Sequence, residues 1–282
     1  MINGRIQVNH VHIGVEQRGL EAQPALVLLH GFTGSAAGWG NHLETFASCG
    51  LRVIALDMLG HGQSDAPTDS QRYIMEHCQS DIIAVLRELG VRQGEATLLG
   101  YSMGGRIALY TAFSGFFRAL ILESASPGLA SSREREQRRE SDEALATSIE
   151  RDGIATFVDR WERLPLFASQ ENLLRERREA LRKQRLLNST TGLAQSLRGV
   201  GTGAQPSLYE RLPHLHLPVL LLAGSLDTKF CMTAQKMAQA LPLAQLHIVS
   251  GAGHAVHLEQ PEIFDRLVRN FILAFYEGIS SP

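Results

Sequence analysis

Gly100-Tyr101-Ser102-Met103-Gly104-Gly105 is the stretch that decides the fold of this chain. An apolar run at residues 96–99 precedes it and a helical pattern at residues 106–113 follows it. The glycines on both sides of the serine allow a sharp turn from a buried strand into a helix, and the turn leaves the serine hydroxyl exposed in a strained backbone conformation. We therefore predict that Ser102 is a catalytic serine at the carboxyl end of a buried strand.

Short apolar runs followed by turn residues recur on both sides of this stretch. They lie at residues 25–29, 52–56, 96–99, 119–122, 219–223 and 245–249. Strands that are buried on both faces lose their alternation and look like these runs. Helical patterns lie at residues 77–89, 106–113 and 261–275. The alternation predicts an α/β class of fold, the α/β-hydrolase fold, with a mostly parallel sheet and helices on both faces. Residues 5–15 alternate and predict antiparallel strands at the first edge.

One long stretch interrupts this alternation with helical periodicity and dense charge. We interpret residues 124–213 as an inserted helical lid, and residues 1–123 and 214–282 as the core of the α/β fold. The Arg- and Glu-rich runs inside the stretch are typical of solvated helix faces with ion pairs one turn apart.

A catalytic serine needs a base, and the base needs a carboxylate that orients it. This fold places the acid and then the histidine after the serine. Asp227 follows the fifth buried run through Gly224, and His254 follows the last run before the final helix. The predicted triad is therefore Ser102, Asp227 and His254. Glu123, at the end of the strand before residues 124–213, remains an alternative acid, and His257 remains an alternative histidine.

The first buried run leads into His30-Gly31-Phe32-Thr33-Gly34. A loop at this place turns a backbone N–H toward the reacting carbonyl, so the amides of Phe32 and Met103 are the predicted oxyanion hole. A structural glycine-rich turn is the alternative interpretation of this loop. His61, on the loop after the next strand, is interpreted as structural.

Arg106 lies in the first turn of the helix that begins at the predicted serine. A cation at this end opposes the positive end of the helix dipole, which costs a few tenths of a kcal/mol or more. An anionic partner offsets that cost. Arg106 therefore indicates a substrate carboxylate, with an unrelated surface ion pair as the alternative.

Composition narrows the function further. The chain has 282 residues, 44% of them apolar and 20% charged, with a net charge of −2, which is ordinary for a globular protein and argues against a nucleic-acid partner. No basic and apolar leader opens the sequence and no apolar run is long enough to span a bilayer, so we expect a cytoplasmic protein. The three cysteines show no metal-ligand spacing, and we expect neither a metal nor a cofactor. A monomer or weak homo-oligomer is expected.

Several longer motifs resemble one family of enzymes. They are Gly100-Tyr101-Ser102-Met103-Gly104-Gly105-Arg106, Glu123-Ser124-Ala125-Ser126-Pro127-Gly128-Leu129, Trp161-Glu162-Arg163-Leu164-Pro165-Leu166-Phe167, Gly203-Ala204-Gln205-Pro206 and Gly224-Ser225-Leu226-Asp227-Thr228-Lys229-Phe230. Together they resemble the 2-succinyl-6-hydroxy-2,4-cyclohexadiene-1-carboxylate synthases of menaquinone biosynthesis. The resemblance covers nearly the whole chain.

This resemblance implies a lyase whose small-molecule substrate carries three carboxylates. It implies elimination of pyruvate from an enolpyruvyl cyclohexene, started by a base that removes the proton alpha to the succinyl carbonyl. It also implies a set of substrate-binding residues: Tyr101, Arg106, Arg138, Trp161, Arg185 and Lys229. A hydrolase that cleaves an ester or C–C bond of an acidic small molecule is the alternative function, and a non-catalytic binding module is the third.

Overall fold

One eight-stranded sheet organises the protein, whose computed structural model describes residues 3–274. The strands are β1 (Asn3–Val8), β2 (Val11–Arg18), β3 (Ala25–Leu29), β4 (Arg52–Leu56), β5 (Ala96–Tyr101), β6 (Ala119–Glu123), β7 (Val219–Gly224) and β8 (Ala244–Val249). The nine described α-helices are α1 (Asn41–Ser48), α2 (Met75–Glu88), α3 (Met103–Ala112), α4 (Ser132–Trp161), α5 (Arg175–Leu186), α6 (Thr190–Val200), α7 (Thr228–Ala240), α8 (Val256–Glu259) and α9 (Pro261–Leu273). The final helix was predicted to reach Phe275, which lies outside the described residues.

The strand order is β1-β2-β4-β3-β5-β6-β7-β8. From β4 to β8 every neighbouring pair is parallel, and β1 and β2 are antiparallel at the first edge. The predicted fold class and the antiparallel edge are therefore confirmed. The prediction that the last run is buried on both faces is wrong, because β8 forms the other edge of the sheet and alternates between partly buried and exposed residues.

Each face of the sheet carries its own apolar core. On one face α2 and α3 pack against the strands through residues such as Ile82, Val85 and Ile107, which are all buried. On the other face α1 and α9 contribute Phe46, Phe264 and other buried side chains. Helices cover both faces because parallel strands buried on two sides must be shielded from water on two sides.

Residues between β6 and β7 form helices α4, α5 and α6 together with two 3₁₀ segments. Gly153 interrupts α4 with a positive φ of 78° and produces a kink there. The helices enclose a small apolar core of their own that includes Ala146, Phe157 and Leu193. Phe32, from the loop after β3, packs against this core and so joins it to the sheet.

The structure also describes two features that the sequence analysis considered, membrane-spanning segments and the cysteines. Within residues 3–274 no helix is long and apolar enough to cross a membrane. Cys78 is buried, Cys49 and Cys231 are partly buried, and the structure shows all three as free thiols.

Candidate active site

The turn between β5 and α3 holds Ser102 in the conformation that its neighbours predict. Ser102 has a φ of 52°, in the left-handed region that side chains rarely adopt. A side chain added at Gly104 would collide with the Leu29 carbonyl oxygen, and one added at Gly100 would collide with the Gly104 carbonyl. The Ser102 N–H donates to the Glu123 carbonyl oxygen at 2.9 Å, which fixes the turn to β6. The strained serine therefore sits above the sheet at the carboxyl ends of its central strands.

The structure brings Ser102, His254 and Asp227 together. His254 Nε2 lies 2.9 Å from Ser102 Oγ, and His254 Nδ1 lies 2.7 Å from Asp227 Oδ2. Both His254 and Asp227 are buried. This geometry allows His254 to accept the Ser102 proton while Asp227 stabilises the imidazolium that forms.

Loops after β7 and β8 hold the acid and the histidine in place. Asp227 caps the first turn of α7, where its Oδ1 accepts a hydrogen bond from the Phe230 N–H at 3.2 Å. A side chain at Gly224 would collide with the Gly253 carbonyl oxygen, so the two loops approach as closely as their backbones allow. This close approach sets the distance between Asp227 and His254.

The loop after β3 lies directly beside Ser102. A Cβ placed on Gly31 would be 3.5 Å from Ser102 Cβ and 2.6 Å from Tyr101 Cε1. Met103 is the first residue of α3, so its N–H has no acceptor within the helix. Phe32 and Met103, the two residues predicted to form the oxyanion hole, both line the cavity above Ser102.

A cavity of about 790 Å³ opens above Ser102 between the sheet and helices α4 to α6. Its volume lies in the range of small-molecule sites, roughly 300 to 1,000 Å³. Each of the predicted substrate-binding residues lines it: Tyr101, Arg106, Arg138, Trp161, Arg185 and Lys229. Three of the six are arginines, so the cavity is suited to an anionic ligand.

Arg106 is a buried cation in this cavity without a carboxylate partner among residues 3–274. Its Nη1 donates to the Val200 carbonyl oxygen at 2.8 Å and to Gln205 Oε1 at 3.0 Å. Burial, and secondarily the charge of Arg138, lowers the pKa of Arg106 to about 10. A guanidinium that is desolvated and bonded only to neutral acceptors is poised to bind an anion.

Arg138 and Arg185 line the same cavity but have carboxylate partners. Arg138 pairs with buried Asp142 at 2.7 Å and is itself partly exposed. Arg185 pairs with Glu162 at 3.1 Å and donates to Gln170 Oε1 at 3.0 Å. These partners therefore fix the orientation of both guanidinium groups before any ligand binds.

Aromatic residues form the remaining walls. Trp161 lies 5.3 Å from Phe32 and 5.5 Å from Phe167, measured between ring centroids. Burial, followed by the nearby charge of Glu123, raises the pKa of Tyr101 well above its usual value, so its hydroxyl remains a donor. Lys229 lies at the exposed mouth.

Glu123 and His257, the two alternative triad residues, contact each other and not Ser102. Both Glu123 carboxylate oxygens lie 2.9 Å from His257 Nδ1, and Oε1 also accepts the His257 N–H at 3.0 Å. Sequence reasoning missed this pair. Glu123 ends one apolar run and His257 comes shortly after the last run, which places both at the same edge of the sheet as Ser102 but does not show that they contact each other.

His30 and His61 form a buried support beneath the loop after β3. Met58 N–H donates to His30 Nε2 at 3.0 Å, and the rings of His30 and His61 lie 5.1 Å apart. Burial lowers the pKa of His30 to about 4 and that of His61 to about 3, so both are neutral. In the described part of the chain no cluster of His, Cys, Asp and Glu could hold a metal ion.

Comparisons with known proteins agree with this architecture. A family model described as the alpha/beta hydrolase fold matches residues 24–261. A Bacillus subtilis (strain 168) protein provisionally named as a 2-succinyl-6-hydroxy-2,4-cyclohexadiene-1-carboxylate synthase is 43% identical, over 93% of this chain and 95% of its own. The chain belongs to this synthase family within the α/β hydrolases. The synthase of Salmonella agona (strain SL483) is 34% identical, over 86% of this chain and 91% of its own.

Solved structures extend the likeness to the fold of the whole chain. MenH from S. aureus superposes with a TM-score of 0.87 at 37% identity, over 93% of this chain and 97% of its own. An esterase from Thermogutta terrifontis, solved with malate bound, superposes with a TM-score of 0.82 at 25% identity, over 96% and 98% of the two chains. The synthase scaffold is therefore shared with ester-cleaving enzymes, and residues of the cavity must account for the difference in chemistry.

Proposed function

We propose that this protein is a 2-succinyl-6-hydroxy-2,4-cyclohexadiene-1-carboxylate synthase of menaquinone biosynthesis. In this role it eliminates pyruvate from 2-succinyl-5-enolpyruvyl-6-hydroxy-3-cyclohexene-1-carboxylate. The protein is then a carbon–oxygen lyase on the scaffold of a serine hydrolase. Its family membership supports this activity.

The observation that carries the proposal at the level of residues is the state of Arg106. A buried guanidinium whose hydrogen bonds go only to two neutral acceptors is unfavourable in the free protein, and a substrate carboxylate in direct contact removes that disadvantage. A tricarboxylate offers one carboxylate for Arg106 and two for Arg138 and Arg185, which line the same cavity. We propose that these three arginines bind the substrate, with Lys229 at the mouth.

In the proposed mechanism Ser102 acts as a base. His254 accepts the hydroxyl proton, and the Ser102 oxygen removes the proton alpha to the succinyl carbonyl. The Asp227 carboxylate at 2.7 Å stabilises the protonated imidazole. The enolate that forms then expels the enolpyruvyl ether, and no acyl-enzyme is needed.

The oxyanion hole stabilises the enolate in this mechanism. The amides of Phe32 and Met103 donate to the carbonyl oxygen of the succinyl group as negative charge develops there. Tyr101 and Trp161 line the pocket around the ring. Residues 124–213 serve as the lid that shields these groups from water, over a core made of residues 1–123 and 214–282.

The deciding experiment follows pyruvate release by coupling it to NADH oxidation with lactate dehydrogenase. The purified protein should release one pyruvate per substrate, and Ser102→Ala should lose at least about 100-fold of that rate, the lower range for a general base. An exposed serine on the same chain, Ser80→Ala, is the matched control and should keep full activity. Retention of most of the rate by Ser102→Ala would rule out its role as the base.

An acid-specific ester or C–C hydrolase is the alternative, because it could use the same triad with water. It predicts rapid turnover of a nitrophenyl ester and no pyruvate release. The named synthase relatives favour the lyase. We further propose that the enzyme acts in the cytoplasm, as a monomer or weak homo-oligomer, without metal or organic cofactor, since acid–base groups and cations supply all of this chemistry.

A further inference from the structure

A second acid–histidine pair lies beside the triad. Glu123 at the end of β6 is fully buried, and its carboxylate receives both the Nδ1 and the backbone N–H of His257. Tyr101 of β5 is the direct neighbour of Glu123 in the sheet. The fold therefore anchors Glu123 on β6, beside the strand that presents Ser102, while His257 reaches it from α8.

His257 is open to the substrate cavity. It lines the cavity, and within residues 3–274 its Nε2 has no hydrogen-bond partner. The Tyr101 ring contacts both imidazoles, with centroids 5.5 Å from His254 and 4.7 Å from His257. His42 is a further titratable neighbour of His257, with its Nε2 3.0 Å from the His257 carbonyl oxygen. Two histidines thus border one cavity, each oriented by its own carboxylate.

Packing alone does not require such a pair. Removing a carboxylate from water is unfavourable, and apolar residues of similar size are often equally stable or more stable at buried ion-pair positions. The pair resembles His254 and Asp227, because in both a carboxylate binds the histidine Nδ1. The difference is that Nε2 of His254 faces Ser102, whereas His257 faces the cavity. Such a carboxylate binds Nδ1–H, favours the protonated ring in which Nε2 also carries a proton, and holds Nε2–H toward the space that the substrate occupies.

The proposed elimination needs a proton that the triad does not readily supply. His254 carries an extra proton once the substrate has been deprotonated, but its Nε2 faces Ser102 Oγ and its Nδ1 faces Asp227, so neither N–H is directed at a departing oxygen elsewhere in the cavity. The departing enolpyruvyl oxygen gains an electron pair as its bond to the ring carbon breaks. An acid near that oxygen lowers the barrier to its departure.

We propose that His257 is the general acid that protonates this departing oxygen, an inference that rests on the proposed lyase function. The ring C–O bond breaks, its electron pair goes to the enolpyruvyl oxygen, and that oxygen takes the Nε2 proton of the protonated His257 ring, whose Nδ1–H stays bonded to Glu123. The product leaves as the enol of pyruvate and then tautomerises to pyruvate. Afterwards His257 regains a proton from water, and the proton that the triad removed from the substrate passes to water.

The test compares His257→Gln with His247→Gln, which changes an exposed histidine on β8. For His257→Gln we expect kcat for pyruvate release to fall about 100-fold or more, with KM changed less than about threefold. Phosphorylation of Ser102 by diisopropyl fluorophosphate expels fluoride, which needs no proton from His257. We expect that labelling to stay within about threefold of wild type, and His247→Gln to match wild type in both assays.

Glu123→Gln and His257→Ala provide independent readouts if the first variant folds poorly. Glu123→Gln should lower kcat about tenfold, and free imidazole in the buffer should restore part of the pyruvate release of His257→Ala. The proposal is overturned if His257→Gln keeps its kcat, or if labelling and pyruvate release fall together, which indicates a structural role. If wild-type enzyme releases no pyruvate, it is the lyase function that fails and not the placement of His257.

Discussion

Replacing Arg106 by methionine separates stability from activity, because the structure makes this arginine unfavourable in the free protein. Methionine keeps much of the length and apolar volume of the side chain while removing the charge and the two hydrogen bonds. In most proteins the loss of a buried, hydrogen-bonded arginine is strongly destabilising, by about 3 to 5 kcal/mol where it breaks an ion pair. Arg106 has no such pair within residues 3–274, so a different result is expected.

The pKa of Arg106 gives the size of the expected change in the free energy of unfolding. Burial lowers the pKa of Arg106 to about 10, and this drop corresponds to about 3 kcal/mol, because each pKa unit is worth about 1.4 kcal/mol. The folded pKa lies below the unfolded value, so the charge destabilises the fold at any pH below about 10. Methionine removes the destabilisation that the buried charge causes. It also leaves the Val200 carbonyl oxygen and the Gln205 amide oxygen without their donor, and each unpaired acceptor costs about 1 to 3 kcal/mol of stability. The two effects oppose each other, and the free energy of unfolding should change by less than about 3 kcal/mol.

Activity should change far more than stability. A charge-assisted hydrogen bond to a carboxylate is worth about 1.5 to 3 kcal/mol, and losing a bidentate pair exceeds the value of one bond. We expect kcat/KM for pyruvate release to fall at least about 100-fold, since each 1.4 kcal/mol is a factor of about ten. Arg106→Lys should recover part of this loss because it restores the charge without the planar fork.

Two measurements on the same preparations check the reasoning. Urea unfolding gives the free energy of unfolding, and the lactate dehydrogenase assay gives kcat/KM. Adding substrate analogues with three carboxylates should stabilise wild type more than Arg106→Met. If Arg106→Met lost more than about 4 kcal/mol of stability, or kept kcat/KM within about threefold of wild type, the assignment of Arg106 as an anion-binding residue would be refuted.

Three further predictions concern other parts of the molecule. His30 and His61 have folded pKa values of about 4 and about 3, below the unfolded value of about 6.5, so the free energy of unfolding should fall by about 2 kcal/mol per histidine between pH 6.5 and 5. Urea midpoints across this range measure the drop, which His61→Phe should reduce, and a constant midpoint contradicts it. Gly104→Ala should yield little folded protein, because its side chain would meet the Leu29 carbonyl oxygen; a wild-type circular dichroism melt would contradict this. Lys229→Ala should lower kcat/KM a few-fold at low salt and have no effect near 1 M salt, since exposed charges are screened there; a salt-independent loss indicates direct contact instead.

Local patterns were sufficient to predict the sheet and the position of Ser102. Buried parallel strands require apolar side chains on both faces, and the turn at Ser102 requires small neighbours, so both leave a local mark in the sequence. The same reasoning was wrong for β8, because an apolar run does not reveal whether its strand has one neighbour or two. An edge position is a property of the whole sheet.

Tertiary structure alone decided which charged groups meet. Nothing near Glu123 in the sequence indicates that its carboxylate binds His257, since 134 positions separate them. Likewise only the docking of helices α4 to α6 over the sheet brings Arg138 and Arg185 into the cavity with Arg106. The sequence by itself determined the strands, the turn at Ser102 and the order of acid and histidine, because short-range backbone geometry and burial dictate them. Which partners orient the arginines and the second histidine depends on contacts between distant segments, and those exist only in the folded chain.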